Sequence, residues 1–373
     1  MERKNAWNTY EESDLAGLNQ LIDGYKGFLN RGKTERECVS IVLEQARAAG
    51  FQDLEQAVAE GKTLKPGDKV YYAHMGKSLF LAVVGQEPME MGLKIVGAHI
   101  DSPRLDLKQN PLYEDGGMAY LDTHYYGGIK KYQWVALPLA LHGVAVKRDG
   151  TVIQVVIGER ETDPVLGITD LLPHIAQSQM EKKASLVIEG EDLNLMVGSR
   201  PAPETDGEGP KDPVRTAILK VLEEEYGIAE EDLMTAELEA VPAGQARDYG
   251  LDRSMVMAYG QDDRVCAYTS WQALNTVETP DRTCVCLLVD KEEIGSVGAT
   301  GMQSRFFENA VAELMDRAGQ YSELALRRCL SHSRFLSADV SSAFDPVFAG
   351  EYDKNNAASV GCGITFNKYS GSR

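Results

Sequence analysis

The apolar run Leu93–Ile100 delivers two ligand-type residues at its end, His99 and Asp101. A nearly continuous apolar stretch of this length reads as a strand buried on both faces, which calls for covering layers on either side. The arrangement recurs. Thr283–Asp290 reads as a second buried strand and runs into Lys291-Glu292-Glu293, and Phe335–Asp339 reads as a third that ends in a carboxylate. A fourth motif, Gln261-Asp262-Asp263-Arg264, opens a helical stretch over Asp262–Val277. In an open α/β sheet, ligands gather where the strands end. The expected fold class is therefore α/β, a mixed sheet flanked by helices.

The rest of the chain is ordered around that sheet. Leu15, Leu18, Ile22, Tyr25 and Phe28 recur at helical spacing, and Thr34 with Glu37 forms a capping box before a second amphipathic helix. Strands are expected at Lys69–Ala73 and Ser78–Val84. From about Leu105 to Gly250 the texture becomes strand-rich, with strands at Val135–Val146 and Thr151–Ile157 around the Asp149-Gly150 turn, then a helix from Asp212-Pro213. The 373 residues, 43% of them hydrophobic, suffice for two cores. The expected division is residues 1–104 and 251–373 in one domain and 105–250 as a β-rich insertion. Arg200–Pro213, rich in Pro, Gly and acids, is expected to be a mobile loop. Gln303–Ala318 reads as a further helix.

A net charge of −19 excludes partners that present a phosphate backbone or an anionic membrane surface. No segment has the roughly 18 uninterrupted apolar residues of a membrane span, and no apolar signal core follows Met1-Glu2-Arg3-Lys4-Asn5. A cytoplasmic protein is expected. The six cysteines form no Cys-x-x-Cys pair and read as ordinary thiols.

The ligand-type residues suit a pair of divalent ions. Such a site needs a bridging carboxylate, a terminal His or carboxylate on each metal, and one more carboxylate free to take a proton from water. Glu292-Glu293 can meet two of these needs, because neighbouring side chains point in different directions. His99-x-Asp101 supplies a ligand and a carboxylate to fix its tautomer. Asp339, in an apolar setting, reads as a buried carboxylate that needs a partner. Each motif also has an ordinary reading: Asp262-Asp263 as helix capping, Glu292-Glu293 as an exposed acidic pair, His99 as a satisfied core histidine.

In order and local sequence these motifs, with Thr123-His124-Tyr125-Tyr126-Gly127-Gly128-Ile129-Lys130-Lys131, Ser337–Pro346 and Lys368-Tyr369-Ser370-Gly371-Ser372-Arg373, resemble the bacterial branch of the M18 metallo-aminopeptidases, a family that includes the aspartyl aminopeptidases. The resemblance covers nearly the whole chain. It implies a zinc-peptidase catalytic domain with an inserted dimerisation domain, and two divalent metals, zinc by default with cobalt or manganese as alternatives. Asp262 would bridge the metals and be joined to Asp263 by a cis peptide bond. His99 and Asp339 would complete one shell, and Glu293 would ligate the other metal. Asp101 would orient His99, and Glu292 would act as general base toward metal-bound hydroxide. His174, in Leu172-Pro173-His174-Ile175-Ala176, would reach into a neighbouring subunit's site. The implied assembly is a tetrahedral dodecamer built from dimers, and the implied substrates are peptides.

The sequence departs from that pattern in two places. The family's fifth ligand is a histidine beyond the Lys368–Arg373 stretch, and none of the histidines at 74, 99, 124, 142, 174 and 332 stands there. The shell around the metal on Glu293 is therefore expected to be one ligand short. That keeps open a truncated or inactive member acting only as an assembly protein, beside an M42-type aminopeptidase. Tyr132-Gln133-Trp134-Val135-Ala136 also differs from the Trp-x-Asp-Arg-Asp pattern of eukaryotic relatives, leaving Lys368 as the candidate cation for an acidic substrate side chain.

Overall fold

The capping box forms as read from the sequence. Glu37 N–H donates to Thr34 Oγ1 at 3.2 Å, and the Glu37 carboxylate accepts from Thr34 N–H at 3.0 Å, starting the helix Glu35–Ala48. In the computed structural model, which describes residues 4–204 and 209–368, this helix and Glu12–Arg31 lie with Gln261–Asn275 against one face of a six-stranded sheet. Tyr25, Phe28, Leu29, Val42 and Trp271 are buried there. Phe306–Arg317 and Glu323–His332 cover the opposite face through Phe306, Val311, Leu314 and Leu326. Each such side chain stabilises by roughly 1.5–3 kcal/mol when fully buried. The result is a three-layer α/β/α stack.

The sheet runs in the order Gln52–Asp53, Lys69–His74, Ser78–Val83, Cys284–Val289, Lys94–His99, Arg334–Ser337. Its pairing is mixed. Ser78–Val83 is antiparallel to both its neighbours, whereas Cys284–Val289, Lys94–His99 and Arg334–Ser337 are mutually parallel. The register sets Val289 opposite His99 and Ser337 opposite Gly97, so all three parallel strands end together.

Residues between Arg104 and Pro242 build a second, wholly antiparallel sheet of seven strands with a core of its own. Its longest pairing is the hairpin Arg104–Asp115 with Met118–Tyr126. The helix Pro213–Tyr226, with Pro at its first turn and Gly227 in the left-handed conformation at its end, packs on this sheet through Val214 and Ile218.

Some boundaries differ from the sequence reading. The strand expected over Val135–Val146 begins only at Leu139. Lys131–Trp134 is a short helix, and Pro138, which has no N–H, stands between the two. The strand expected over Phe335–Asp339 spans Arg334–Ser337 at the sheet edge, with Phe335 46% and Leu336 61% exposed. Asp339 is exposed too, which corrects the reading of it as a buried carboxylate. Of the Arg200–Pro213 loop, residues 205–208 lie outside the described ones, and Ala202 N–H donates to Pro213 O at 2.9 Å across its base. The six cysteines are free thiols. Among the described residues no helix is long and apolar enough to cross a membrane.

Candidate metal centre

Three strand ends and one helix start supply the site. His99 closes its strand at 3% exposure. Ala338 N–H donates to Gly97 O at 2.8 Å, extending the edge pairing by one residue and setting Asp339 beside His99. Glu292 and Glu293 follow the Cys284–Val289 strand in a single 3-10 turn. Asp262 and Asp263 lie in the first turn of Gln261–Asn275, joined by a cis peptide bond. Both have non-helical backbone angles, so the regular helix begins just after them, and neither Asp263 oxygen accepts a capping bond. Before them stands Gly260 at φ +78°, where a Cβ would come within 2.0 Å of Arg264 Nη1. Arg264 in turn donates to Ile100 O and Lys33 O, and Ser102 Oγ donates to Asp262 O at 2.8 Å, tying the helix start to the strand end.

One ligand atom each from His99, Asp262 and Asp339 lies within 4.8 Å of the other two. His99 Nε2 is 3.1 Å from Asp262 Oδ1 and 3.8 Å from Glu292 Oε2. Zinc bonds to nitrogen and oxygen are about 2.0–2.2 Å long, so a small closure of the three groups would bring them onto one ion. The charges point the same way. Burial and then Asp262 push Glu293 up to about 7. Burial also raises Glu292, with Asp339, Asp101 and Asp262 adding to it against His99. Asp263 is fully buried and raised to about 7, chiefly by burial; among the described residues neither of its oxygens meets an N–H or O–H donor, and the Cys266 thiol stands close. Burial disfavours charge on His99, but Asp101 and Asp262 outweigh it and raise the imidazole to about 11. Carboxylates that repel one another around an imidazole fit a divalent cation, and the N/O donor set suits zinc.

Asp101, fully buried, organises this cluster without joining it. Its Oδ1 is 3.4 Å from His99 Nδ1 and accepts from Glu292 N–H at 3.2 Å. Its Oδ2 accepts from Glu293 N–H at 3.2 Å and from Tyr126 Oη at 2.6 Å. Burial would raise this carboxyl, yet the hydrogen bonds from His99 and Tyr126 hold it below its ordinary value.

The family model for aminopeptidase I zinc metalloproteases (M18) matches residues 28–373. The chain belongs to the M18 family of zinc metallo-aminopeptidases. It is 57% identical over 372 residues to a probable M18 family aminopeptidase 1 of Clostridium acetobutylicum, covering all of this chain and 79% of that protein. The crystal structure of aminopeptidase I from Clostridium acetobutylicum superposes with a TM-score of 0.91 at 53% identity, covering 100% of this chain and 80% of that one. The M18 aminopeptidase of Thermotoga maritima gives a TM-score of 0.89 at 41% identity, covering 97% and 78%. A more distant likeness, bearing on the fold alone, is to the S. cerevisiae mApe1 dodecamer, with a TM-score of 0.71 at 21% identity over 92% of this chain and 76% of that one.

Within this M18 chain, His99, Asp101, Asp262, Glu292, Glu293 and Asp339 are therefore gathered at one edge of the sheet. His174 is not among them. It is exposed on a turn before the short helix Gln177–Met180, between Leu172 at 66% and Ile175 at 67% exposure. Sequence reasoning gave Tyr126 no role, although it quoted the segment that contains it. It also passed over a buried ion cluster at the foot of the second sheet, where Arg104 meets Glu35 at 3.1 Å and Glu239 at 3.2 Å. These contacts join positions far apart in the chain, and no local spacing announces them.

Proposed function

We propose that this M18 chain removes single N-terminal residues from short peptides at a dinuclear centre. Asp262 would hold both ions, His99 and Asp339 would complete one shell, and Glu293 would ligate the other. The observation that carries this reading is the convergence of His99, Asp262 and Asp339 with Glu292 3.8 Å from the imidazole. When bound, two divalent ions polarise the scissile carbonyl and make water acidic enough to attack at neutral pH.

The side chains divide the remaining work. Asp101 would fix the His99 ring through its backbone O, 3.0 Å from Nδ1, with its carboxylate at 3.4 Å, leaving Nε2 free for an ion. Glu292, half-exposed at the mouth, takes a proton from the attacking water and passes it to the leaving amine. Its raised pKa favours that return step. Gly127, at φ +74°, lets the backbone lie against Glu293, since a Cβ there would stand 3.3 Å from the Glu293 Cβ.

The second sheet serves as the dimerisation domain in this reading, with the particle a dodecamer and His174 placed in a neighbouring subunit's site. Exposed Val165, Leu171, Leu172, Ile175 and Met180 near that histidine support an apolar contact surface there. Replacing Glu292 by Gln and following peptide turnover beside zinc content tests the mechanism. Loss of turnover with zinc retained is expected, and full turnover would rule out Glu292 as the base.

A further inference from the structure

Tyr126 ends the Met118–Tyr126 strand of the second sheet, yet its hydroxyl reaches the metal centre of the first. It is 6% exposed, and Oη donates to Asp101 Oδ2 at 2.6 Å. Cations hold the ring on two contacts. The Arg104 guanidinium carbon lies 4.0 Å from the ring centroid and Lys291 Nζ lies 5.1 Å from it. Arg104 is the cross-strand neighbour of Tyr126 and is itself fixed by Glu35, Asp106 and Glu239. Lys291 immediately precedes Glu292. The phenol is thus braced from the ion cluster on one side and from the catalytic turn on the other.

We propose that Tyr126 is a positioning residue of this aminopeptidase, which fixes the rotation of Asp101 and through it the His99 ring and the Glu292-Glu293 turn. The inference rests on the dinuclear reading above and names a residue to which that reading gives no part. Asp101 is fully buried; its carboxylate accepts from Glu292 N–H, Glu293 N–H and Tyr126 Oη and lies 3.4 Å from His99 Nδ1, whose nearer partner is the Asp101 backbone O at 3.0 Å. Of these donors only the phenol comes from outside the strand and turn that Asp101 has to align. Without it, Oδ2 keeps a single contact at 3.2 Å, and the carboxylate can turn away from the Glu292-Glu293 amides and from the imidazole beside it. Burial and the adjacent Asp101 keep the phenol protonated, so it remains a donor. The same strand end carries Gly127 onto Glu293, so one segment of the second sheet bears on both the orienting carboxylate and a ligand.

Tyr126→Phe removes the hydroxyl and keeps the ring between its cations, so the fold is retained and thermal unfolding should show it. Zinc affinity, measured by competition with a chromophoric chelator, should fall by about 10–100-fold, the range seen when a partner of a metal-bound histidine is lost. The visible absorption of the cobalt-loaded protein should change, and kcat should fall with KM nearly constant. Combining Tyr126→Phe with Asp101→Asn should add little to Asp101→Asn alone. Zinc affinity within about twofold of the parent and an unchanged cobalt spectrum would overturn the proposal. So would full additivity of the two substitutions, because Tyr126 would then not act through Asp101. Glu292→Gln with full turnover would remove the general-base reading, while the zinc affinity of Tyr126→Phe would still decide this one.

Discussion

His99 Nε2 lies 3.1 Å from Asp262 Oδ1 although 163 positions separate the two residues. The contact exists because a parallel strand and a helix start are brought to one sheet edge, and it carries the first prediction. Asp262→Ala should cost the protein most of its zinc and its turnover together, because in the proposed centre Asp262 would serve both ions. Zinc content after desalting and peptide hydrolysis are the paired measurements, and retained zinc would show that Asp262 is no bridge.

Glu292 sits 3.8 Å from His99 Nε2 with half its side chain exposed, a position for proton transfer. Glu292→Gln should lower kcat by about 10²–10⁴-fold, the usual contribution of a general base, and leave zinc content unchanged. Parallel loss of zinc would make Glu292 a ligand.

Arg104, 3% exposed, pairs with buried Glu35, which also meets Lys77 at 3.1 Å, and lies 3.2 Å from buried Glu239, whose carboxyl burial and Glu35 push up. Removing one member of such a cluster leaves uncompensated charge. Arg104→Met should therefore destabilise the fold by about 3–5 kcal/mol, measured by denaturant unfolding. A loss no larger than that of an exposed residue would show that the cluster is solvated.

His142, 2% exposed, bridges Glu37 at 2.8 Å and Glu159 at 3.2 Å, joining the capping box of Glu35–Ala48 to the second sheet. Burial opposes its charge, but the two carboxylates outweigh burial and raise its pKa. A raised folded value means stabilisation that is complete below the unfolded pKa of about 6.5 and is lost as pH rises through the folded pKa. The Tm gap between the parent and His142→Asn should be widest near about pH 6 and narrow toward alkaline pH. A gap that widens with pH would contradict the assignment.

Gly260 combines φ +78° with a space already taken by Arg264. Gly260→Ala should cost at least about 1–2 kcal/mol from the left-handed conformation alone. It should also weaken zinc binding by displacing the arginine that ties Ile100 to the helix start. Unchanged zinc affinity would mean that the helix start moves independently of the site.

What the sequence disclosed follows the range of each interaction. The Thr34–Glu37 capping box is contained in four residues, and it forms as read. The ligand-type residues at 99, 101, 292, 293 and 339 were legible because each closes an apolar run, and such runs end at one sheet edge when the strands are parallel. Asp339 was misjudged for a related reason: Phe335-Leu336 looks buried in sequence, but nothing local tells a central strand from an edge strand, and this one is at the edge. The Asp262-Asp263 pair matched helix capping in composition and does stand at the start of the regular helix, but Asp262 turns its carboxylate to His99. Tyr126 and Arg104 stayed hidden because their partners, Asp101 and Glu35, belong to the other sheet and its covering helix.

The proposed centre would hold two ions per chain. Plasma mass spectrometry of the purified protein, equilibrated with zinc and desalted, measures it directly. About two zinc ions per chain are expected from a bridged pair; one or none, however much zinc is supplied, would contradict the dinuclear account.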